Sequence, residues 1–243
     1  RLPCYSPAVA MTSPLIRHLA TVALLAGAVV SCSDDRRQAV KALEKRGVEV
    51  SGSSLLAAVE TGDTGLTQLL LRAKVYTGQR DTGGNSPLLI AIDRGHPAIV
   101  WSLLDGGVDI SAANPAGVTP VSMAVFKGET ALADRLLDAG APADGMTPDG
   151  DQVLPWAIRH GRLAFVRRLM KGGADPHQKD AAGNPLLHVA IDAGRQDLAK
   201  ELLELGADAA GVNAAGESSL AAALRKGWRD LAAGLVRGGA DPN

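Results

Sequence analysis

Small and apolar residues recur along this chain with a period of 33 positions. Six alanines keep this spacing, and each is followed four residues later by a glycine. The alanines are Ala58, Ala91, Ala124, Ala157, Ala190 and Ala223, and the glycines are Gly62, Gly95, Gly128, Gly161, Gly194 and Gly227. A unit of this size cannot bury its apolar face alone and must pack against its neighbours. The period therefore predicts a stack of similar units.

Each unit is predicted to contain two helices. In one unit, Ser86 is a suitable N-cap and Pro87 fits the first helical position, where the missing N–H costs nothing. The mostly apolar run that follows ends at Gly95. A second helix is expected from about Pro97, because apolar residues then recur at helical spacing. They are Ile99, Val100, Leu103 and Leu104.

Glycines also mark the second helix end and the connection between units. Gly107 falls where a helix C-terminus requires a left-handed residue. The segment after it is rich in Gly, Pro, Asn and Asp, which predicts a tight turn in a projecting finger loop. The finger glycines are Gly84, Gly117, Gly150, Gly183 and Gly216. In the first repeat Lys74 takes the place of the C-terminal glycine, so the chain is expected to leave the second helix of that repeat irregularly.

The repeated residues resemble the ankyrin repeat over about residues 51–243. The T-P-L-H-x-A signature of that family reads TPVSMA at 119–124 and SPLLIA at 86–91, and the last three units continue as Gly-Ala-Asp. The resemblance implies an all-α ankyrin-repeat solenoid. It would contain six 33-residue helix-turn-helix units with short finger loops, preceded by one capping helix.

The region ahead of the repeats is expected to cap them. Residues 37–46 followed by Gly47 have the pattern of a single helix, and the interval from Gly47 to Ala58 is too short for a finger. A terminal unit must also present one polar side. We therefore divide the chain into an untranslated leader at 1–10, a signal peptide at 11–31, a tether and N-terminal capping helix at 32–50, and the repeat domain at 51–243. Residues 34–37 are assigned to the tether.

The start of the chain has the pattern of a bacterial lipoprotein signal peptide. Arg17 and His18 precede an uncharged stretch at 19–30, which is too short to span a membrane. The sequence VVSC at 29–32 resembles a lipobox, whose cysteine, here Cys32, is acylated and becomes the mature N-terminus. A simple signal peptide with an incidental cysteine and a signal anchor are the alternatives. We expect a lipid anchor at Cys32 on the periplasmic side of a bacterial membrane, and Ser33 favours the outer membrane over the inner, although Asp34 leaves this open.

Composition argues against nucleic acid as a partner. Without Arg1 and Arg17, the mature chain has 23 basic and 26 acidic residues, a net charge of −3. Acylation of Cys32 would leave it without a free thiol, so disulfides are not expected to contribute.

Motifs for catalysis are absent from the sequence. There is no P-loop, no H-E-x-x-H, no nucleophile elbow and no Cys-x-x-Cys. Two Asp-Thr-Gly triplets match the triplet of aspartic proteases, but the repeat places Asp81 in a finger and Asp63 in a turn between helices. His188 holds the histidine position of the ankyrin signature, where the resemblance implies a structural hydrogen bond. We expect no catalytic residue, cofactor or metal, and we assign Trp156 and Phe165 to the core.

The exposed ends of the first helices and the fingers are the candidate binding surface. The resemblance implies that a protein partner lies on the concave side against these positions. They are Asp93, Arg94, Phe126, Lys127, Arg159, His160, Arg225 and Lys226 on the helices, and Met146, Asp149 and Asp151 on the fingers. An aromatic among cations is typical of interface anchors, although each position also fits a solvated helix face. Trp101 maps to the outer side of a second helix, where it is either packed under a neighbour or a second contact site.

These features favour a non-catalytic, monomeric protein-binding module that is lipid-anchored in the periplasm. It would act on an envelope protein as a tether, chaperone or inhibitor. One alternative is an immunity protein that neutralises a toxic effector delivered to the periplasm. An alternative of another class is a small hydrolase with an unrecognised site.

Overall fold

A computed structural model describes residues 34–241, and the regular elements in this range are all α-helices. The first helix, α1, covers 34–45. The others are α2 (Gly52–Thr61), α3 (Thr64–Arg72), α4 (Pro87–Arg94), α5 (Pro97–Asp105), α6 (Pro120–Lys127), α7 (Thr130–Asp138), α8 (Val153–Arg159), α9 (Leu163–Lys171), α10 (Leu186–Asp192), α11 (Gln196–Glu204), α12 (Ser219–Arg225) and α13 (Arg229–Arg237). This confirms the all-α prediction. Cys32 and the segments assigned to the leader and the signal peptide lie outside the described residues.

The described residues form two compact units. The first contains residues 34–79 and His96–Val108, and therefore α1, α2, α3 and α5. The second contains Arg80–Gly95 and 109–241, and therefore α4 and α6 to α13.

In the first unit, α3 packs between α2 and α5, and α1 adds buried apolar side chains to this unit. Ala39 and Leu43 of α1 are buried, at 3% and 0% exposure. The Arg36 Nε donates a hydrogen bond of 3.2 Å to the carbonyl oxygen of Ala73, just after α3. The helix therefore includes residues 34–37, which composition alone assigned to a tether. Acidic side chains at 34 and 35 suit a helix start, because the N-terminal end of the helix dipole is positive.

In the second unit the first helices of the repeats pack side by side in chain order. They are α4, α6, α8, α10 and α12, and α7, α9, α11 and α13 each pack on the first helix that precedes them. The repeated alanines lie at 0% exposure in this unit: Ala91, Ala124, Ala157, Ala190 and Ala223. An alanine here allows close approach of the helices, since it adds only one methyl group between two backbones. The core is therefore built mostly of aliphatic side chains.

The predicted helix ends are confirmed. The hydroxyl of Ser86 accepts from the backbone N–H of Leu89, and Thr119 forms a capping box with Ser122. Gly107 has φ 73°, the left-handed conformation that its position requires. Lys74 takes the same position in the first repeat and has φ 55°, and it is the only non-glycine residue with positive φ within residues 34–241.

Both Asp-Thr-Gly aspartates have structural roles. Asp63 caps α3, because its carboxylate accepts from the backbone N–H of Leu66 at 2.8 Å. Asp81 accepts from the backbone and side-chain N–H groups of Asn85 at 2.7 and 3.0 Å, which closes a finger. Burial raises the pKa of Asp81, but the hydrogen bonds outweigh it and the pKa lies below its usual value.

His188 joins two successive repeats within the core. It is fully buried, its Nδ1 lies 3.1 Å from the Ser219 hydroxyl, and that hydroxyl donates to the carbonyl of Gly211 at 3.2 Å. Burial lowers the pKa of His188 below its ordinary value. Trp156 and Phe165 are also buried, at 4% and 5% exposure, as predicted.

Between residues 34 and 241, none of the helices combines the length and the apolar character needed to cross a membrane.

Lys74→Gly is expected to stabilise the protein by about 0.5–1 kcal/mol. A side chain in the left-handed region costs about 1–2 kcal/mol, and the extra backbone entropy of glycine in the unfolded chain offsets part of that gain. Urea denaturation measures the change. Lys74→Ala is the control, since it removes the charge but keeps the Cβ, and it should give no such gain. Equal stability of the glycine and alanine variants would contradict the strain at this position.

Ala157→Leu is expected to destabilise the protein by about 1–3 kcal/mol, because the larger side chain must overpack a fully buried contact. Ala164→Leu, on the exposed side of α9, is the matched control and should change stability by about 0.5 kcal/mol or less. Thermal melts of both variants compare the two sites. A melting temperature for Ala157→Leu equal to that of the wild type would show that the contact is loosely packed.

Candidate partner-binding surface

The ends of the first helices and the adjacent fingers of the second unit form one surface, called here the groove face. It consists of helix-end residues 93–94, 126–127, 159–160, 192–193 and 225–226, and finger residues 147–151, 180–184 and 213–217. Side-chain contacts join the two sets: Arg159 pairs with Asp151, and Arg225 pairs with Glu217. All the predicted partner-binding residues lie in this unit.

Three rings meet at the centre of the groove face. The ring centroids of Phe126 and Trp156 lie 5.3 Å apart at an interplanar angle of 44°. Trp156 stacks on His160 with centroids 4.1 Å apart and an angle of 24°. His160 Nδ1 also lies 2.9 Å from the Trp156 carbonyl oxygen, which fixes the position of the imidazole. The structure thus brings together Phe126 and His160, both predicted from the sequence, by way of a tryptophan between them.

Trp156 belongs to this site as well as to the core. The sequence identified only its core role, although its spacing of four residues from His160 puts both on one side of α8. Its Nε1 is buried and has no hydrogen-bond partner within the described part of the chain. A buried donor left unpaired costs about 1–3 kcal/mol. A partner that moved Phe126 or His160 aside and supplied an acceptor would recover that cost.

Two of the predicted cations of the groove face, Lys127 and Arg159, form ion pairs with acidic side chains. Lys127 Nζ lies 2.9 Å from a carboxylate oxygen of Asp93. Arg159 pairs with Asp151 and reaches a carboxylate oxygen of Asp180 at 3.6 Å. Such half-exposed pairs contribute little to stability, typically about 0–1 kcal/mol.

A second cluster of charges surrounds Arg225. Its guanidinium donates to both carboxylate oxygens of Glu217 at 3.0 and 3.2 Å and lies 4.0 Å from Asp192. The hydrogen bonds from Arg225 lower the pKa of Glu217 and raise that of Arg225 itself.

Sequence reasoning missed three acidic members of the groove face. They are Asp180, Asp192 and Glu217. The period could have identified Asp192, which stands at the same repeat position as Asp93, and Asp180, which stands at that of Asp81.

The other predicted residues contribute differently. Met146 is half-buried, and its backbone N–H donates to the Gly117 carbonyl at 2.9 Å, so it links neighbouring fingers. Arg94, Asp149 and Lys226 are exposed and remain candidates by position.

The second helices carry a separate set of ion pairs. Arg168 donates to Asp134 at 2.6 Å and to Asp138 at 2.5 Å, and Arg167 pairs with Glu201. The Lys200 Nζ lies 3.6 Å from Asp230. Trp101 belongs to the first unit and is half-buried, which is less exposed than its outer position suggested.

The groove face is suited to recognition. A buried Trp156 beside the half-buried Phe126 and the exposed His160, with charged residues around them, has the composition of many protein interfaces. Within residues 34–241, no group of three or more His, Cys, Asp or Glu side chains is placed to hold a metal ion.

Several solved structures are similar to this chain. An ankyrin repeat domain (ABAYE2397) from Acinetobacter baumannii AYE has a TM-score of 0.67 at 24% identity, with 77% of this chain and 98% of that chain covered. The ankyrin repeat protein EF0377 has a TM-score of 0.63 at 28% identity, with 79% and 99% covered.

A third similar chain comes from the structure of the Bd0816 predatory endopeptidase from Bdellovibrio bacteriovorus in complex with immunity protein Bd3460. Its TM-score is 0.61 at 25% identity, with 77% of this chain and 98% of that chain covered. No curated protein matches the sequence.

A family profile for ankyrin repeats in three copies matches residues 95–180 and 156–243, which together make up more than half of the chain. These residues include the groove face from Phe126 onward. The chain belongs to the ankyrin repeat family.

Proposed function

We propose that this protein binds another protein through the groove face and is held in the bacterial periplasm by a lipid on Cys32. Its role is non-catalytic, as a tether, chaperone or inhibitor of a protein of the cell envelope. The observation that carries the binding role is the cluster of Phe126, Trp156 and His160. Aromatic side chains in a largely desolvated centre contribute most of the binding energy in many protein interfaces.

Family membership supports a binding role. Ankyrin repeat domains are typically modules for protein–protein interaction. Their repeats present a preformed surface, so little conformational entropy is lost when a partner binds. The same reasoning applies to the groove face, because its charged side chains already lie in defined pairs.

The proposed lipid anchor is supported by the sequence. A basic N-terminal part, an apolar stretch of about a dozen residues and small residues before Cys32 together form the pattern of a lipoprotein signal. In the mature chain Cys32 would be the only thiol, so no other residue could take its place as the acceptor.

An immunity function is the second candidate. It is favoured by the similarity to a chain from the complex of a predatory endopeptidase with its immunity protein. In that case the partner would be a toxic enzyme that reaches the periplasm, and the groove face would inhibit it. Loss of the protein would then make cells sensitive to that enzyme, whereas loss of a tether or chaperone would not.

The double variant Phe126→Ala, His160→Ala is expected to weaken partner binding by about 2 kcal/mol or more for each anchor removed, because Trp156 loses both of the rings that contact it. The partner is first identified with a photo-crosslinking amino acid at position 127, compared with one at 171 on α9. Affinity for that purified partner is then measured by calorimetry.

The control for this experiment replaces exposed residues of second helices, Lys171→Ala and Arg229→Ala. It avoids Asp134, Arg167 and Lys200, which form ion pairs with neighbouring helices. The control should bind as the wild type does. If the groove variant kept full affinity while the control lost it, the partner would lie on the second helices.

Cys32→Ala is expected to abolish acylation and release the protein from membranes, because no other thiol remains after the signal peptide is removed. Metabolic labelling with a palmitate analogue, followed by membrane fractionation, measures both effects. Ser33→Ala should be labelled as the wild type is. Persistent labelling of the Cys32 variant would exclude the proposed anchor.

A further inference from the structure

A distinct surface lies in the first unit, beside the start of α1. From Arg72, the last residue of α3, the side chains alternate: Ala73 and Val75 are buried, and Arg72, Lys74 and Tyr76 are exposed. Tyr76 is 72% exposed, more than any other large apolar or aromatic side chain in the described range. The segment therefore presents two cations and an aromatic ring to the solvent.

Contacts join this segment to the start of α1. The Arg36 Nε donates to the Ala73 carbonyl at 3.2 Å, three residues before Tyr76. A Cβ placed on Gly52 would lie 3.1 Å from the Tyr76 carbonyl oxygen, so residue 52 is also adjacent. Val50, two residues earlier, is 38% exposed. Residues 34–37, Val50 and 72–76 are called here the α1 corner.

The α1 corner departs from the other repeats in its residue types. The place of Lys74 is occupied by glycine in every later repeat, and the place of Tyr76 by aspartate or proline: Asp109, Pro142, Asp175, Asp208 and Asp241. Lys74 also holds a left-handed backbone that would suit glycine better. Stability of the fold does not account for a lysine in this backbone conformation, and strain of this kind is commonly kept where a residue makes a functional contact.

The charge of the α1 corner is opposite to that of the mature chain. Arg36, Arg37, Arg72 and Lys74 stand against Asp34 and Asp35, which gives a local net charge of +2, while the mature chain has −3. The Arg37 guanidinium lies 3.7 Å from the Asp34 carboxylate, yet its side chain is 75% exposed, so the pair is open to the solvent. Cations beside an exposed tyrosine and an apolar side chain match the surface of a bilayer with anionic headgroups, where tyrosine rings lie at the interface.

We propose that the α1 corner rests on the anionic surface of the membrane that holds the lipid anchor. The inference depends on the proposed acylation of Cys32, because that residue lies only two positions before Asp34. Two residues span at most about 7 Å, so the start of α1 would be held within about one Debye length of the headgroups. The lipid would supply attachment, and the corner would fix how the first unit is oriented on the membrane.

Vesicle binding by a chain that cannot be acylated tests the corner separately from the anchor. The mature chain with Cys32→Ser is mixed with vesicles of phosphatidylethanolamine and phosphatidylglycerol, or with phosphatidylcholine alone, and bound protein is measured by sedimentation. We expect binding to the anionic vesicles only, and we expect it to fall as salt is raised. The further changes Arg37→Glu, Lys74→Glu and Tyr76→Ser should lower it about tenfold or more.

A matched control carries the same change in net charge at exposed sites of the second unit: Lys171→Glu, Arg237→Glu and Leu224→Ser. It should bind anionic vesicles as the Cys32→Ser chain does, and circular dichroism should show both variants folded. Equal binding by the corner variant and the control, or equal binding to both kinds of vesicle, would overturn the proposal. So would a corner variant that kept vesicle binding but lost a protein partner.

The lipid anchor and the α1 corner are tested by different measurements, palmitate labelling for the anchor and vesicle binding for the corner. Absence of palmitate labelling in the wild type, with lipid-dependent binding of the Cys32→Ser chain, would remove the anchor and leave the corner as a membrane contact on its own. Normal labelling without anionic vesicle binding would keep the anchor and exclude the corner.

Discussion

Burial of one repeat against the next is the interaction on which the rest of this structure depends. The described helices of the repeats are only 7 to 10 residues long, too short to be stable alone in water. In the second unit they persist because each first helix packs on the next through fully buried alanine and aliphatic side chains. Because few aromatic residues are available, the helices fill the core by packing their backbones closely together rather than by burying many large aromatic side chains.

The same alignment creates the groove face. Since the first helices of the second unit lie side by side, residues 33 positions apart form rows across them: Asp93, Phe126, Arg159, Asp192 and Arg225 form one such row. Charges of both signs within a row and in the adjacent fingers can pair, and most of them do. Exposed pairs of this kind add little energy, so the aromatic centre is the part of the surface best able to anchor a partner.

The two proposed contacts use different residues. The groove face lies wholly in the second unit, whereas the α1 corner lies wholly in the first. A protein partner and a membrane would therefore not compete for the same side chains. Attachment to a membrane also limits where a bound partner can diffuse, which suits a tether, a chaperone or an inhibitor equally well.

The repeat pattern was sufficient to predict most of the fold. Helix starts at Ser86 and Thr119, the left-handed Gly107 and the buried alanines all follow from local rules applied at a fixed period. The period also located the groove positions, because equivalent residues occupy equivalent places. It did not show that α1 begins by residue 34, since the hydrogen bond from Arg36 to the Ala73 carbonyl joins segments 37 residues apart.

Only the tertiary structure decided which side chains meet. A repeat fixes where each Cα lies, but the reach and rotamer of long side chains determine whether Arg159 turns to Asp151 and Asp180 or to solvent. For the same reason Trp156 could be assigned to the core from its position, while its place between Phe126 and His160 could not. The sequence by itself determined the architecture and the candidate surface. Packing across repeats determined which aromatic rings on that surface contact one another, which charged side chains form ion pairs and which are exposed.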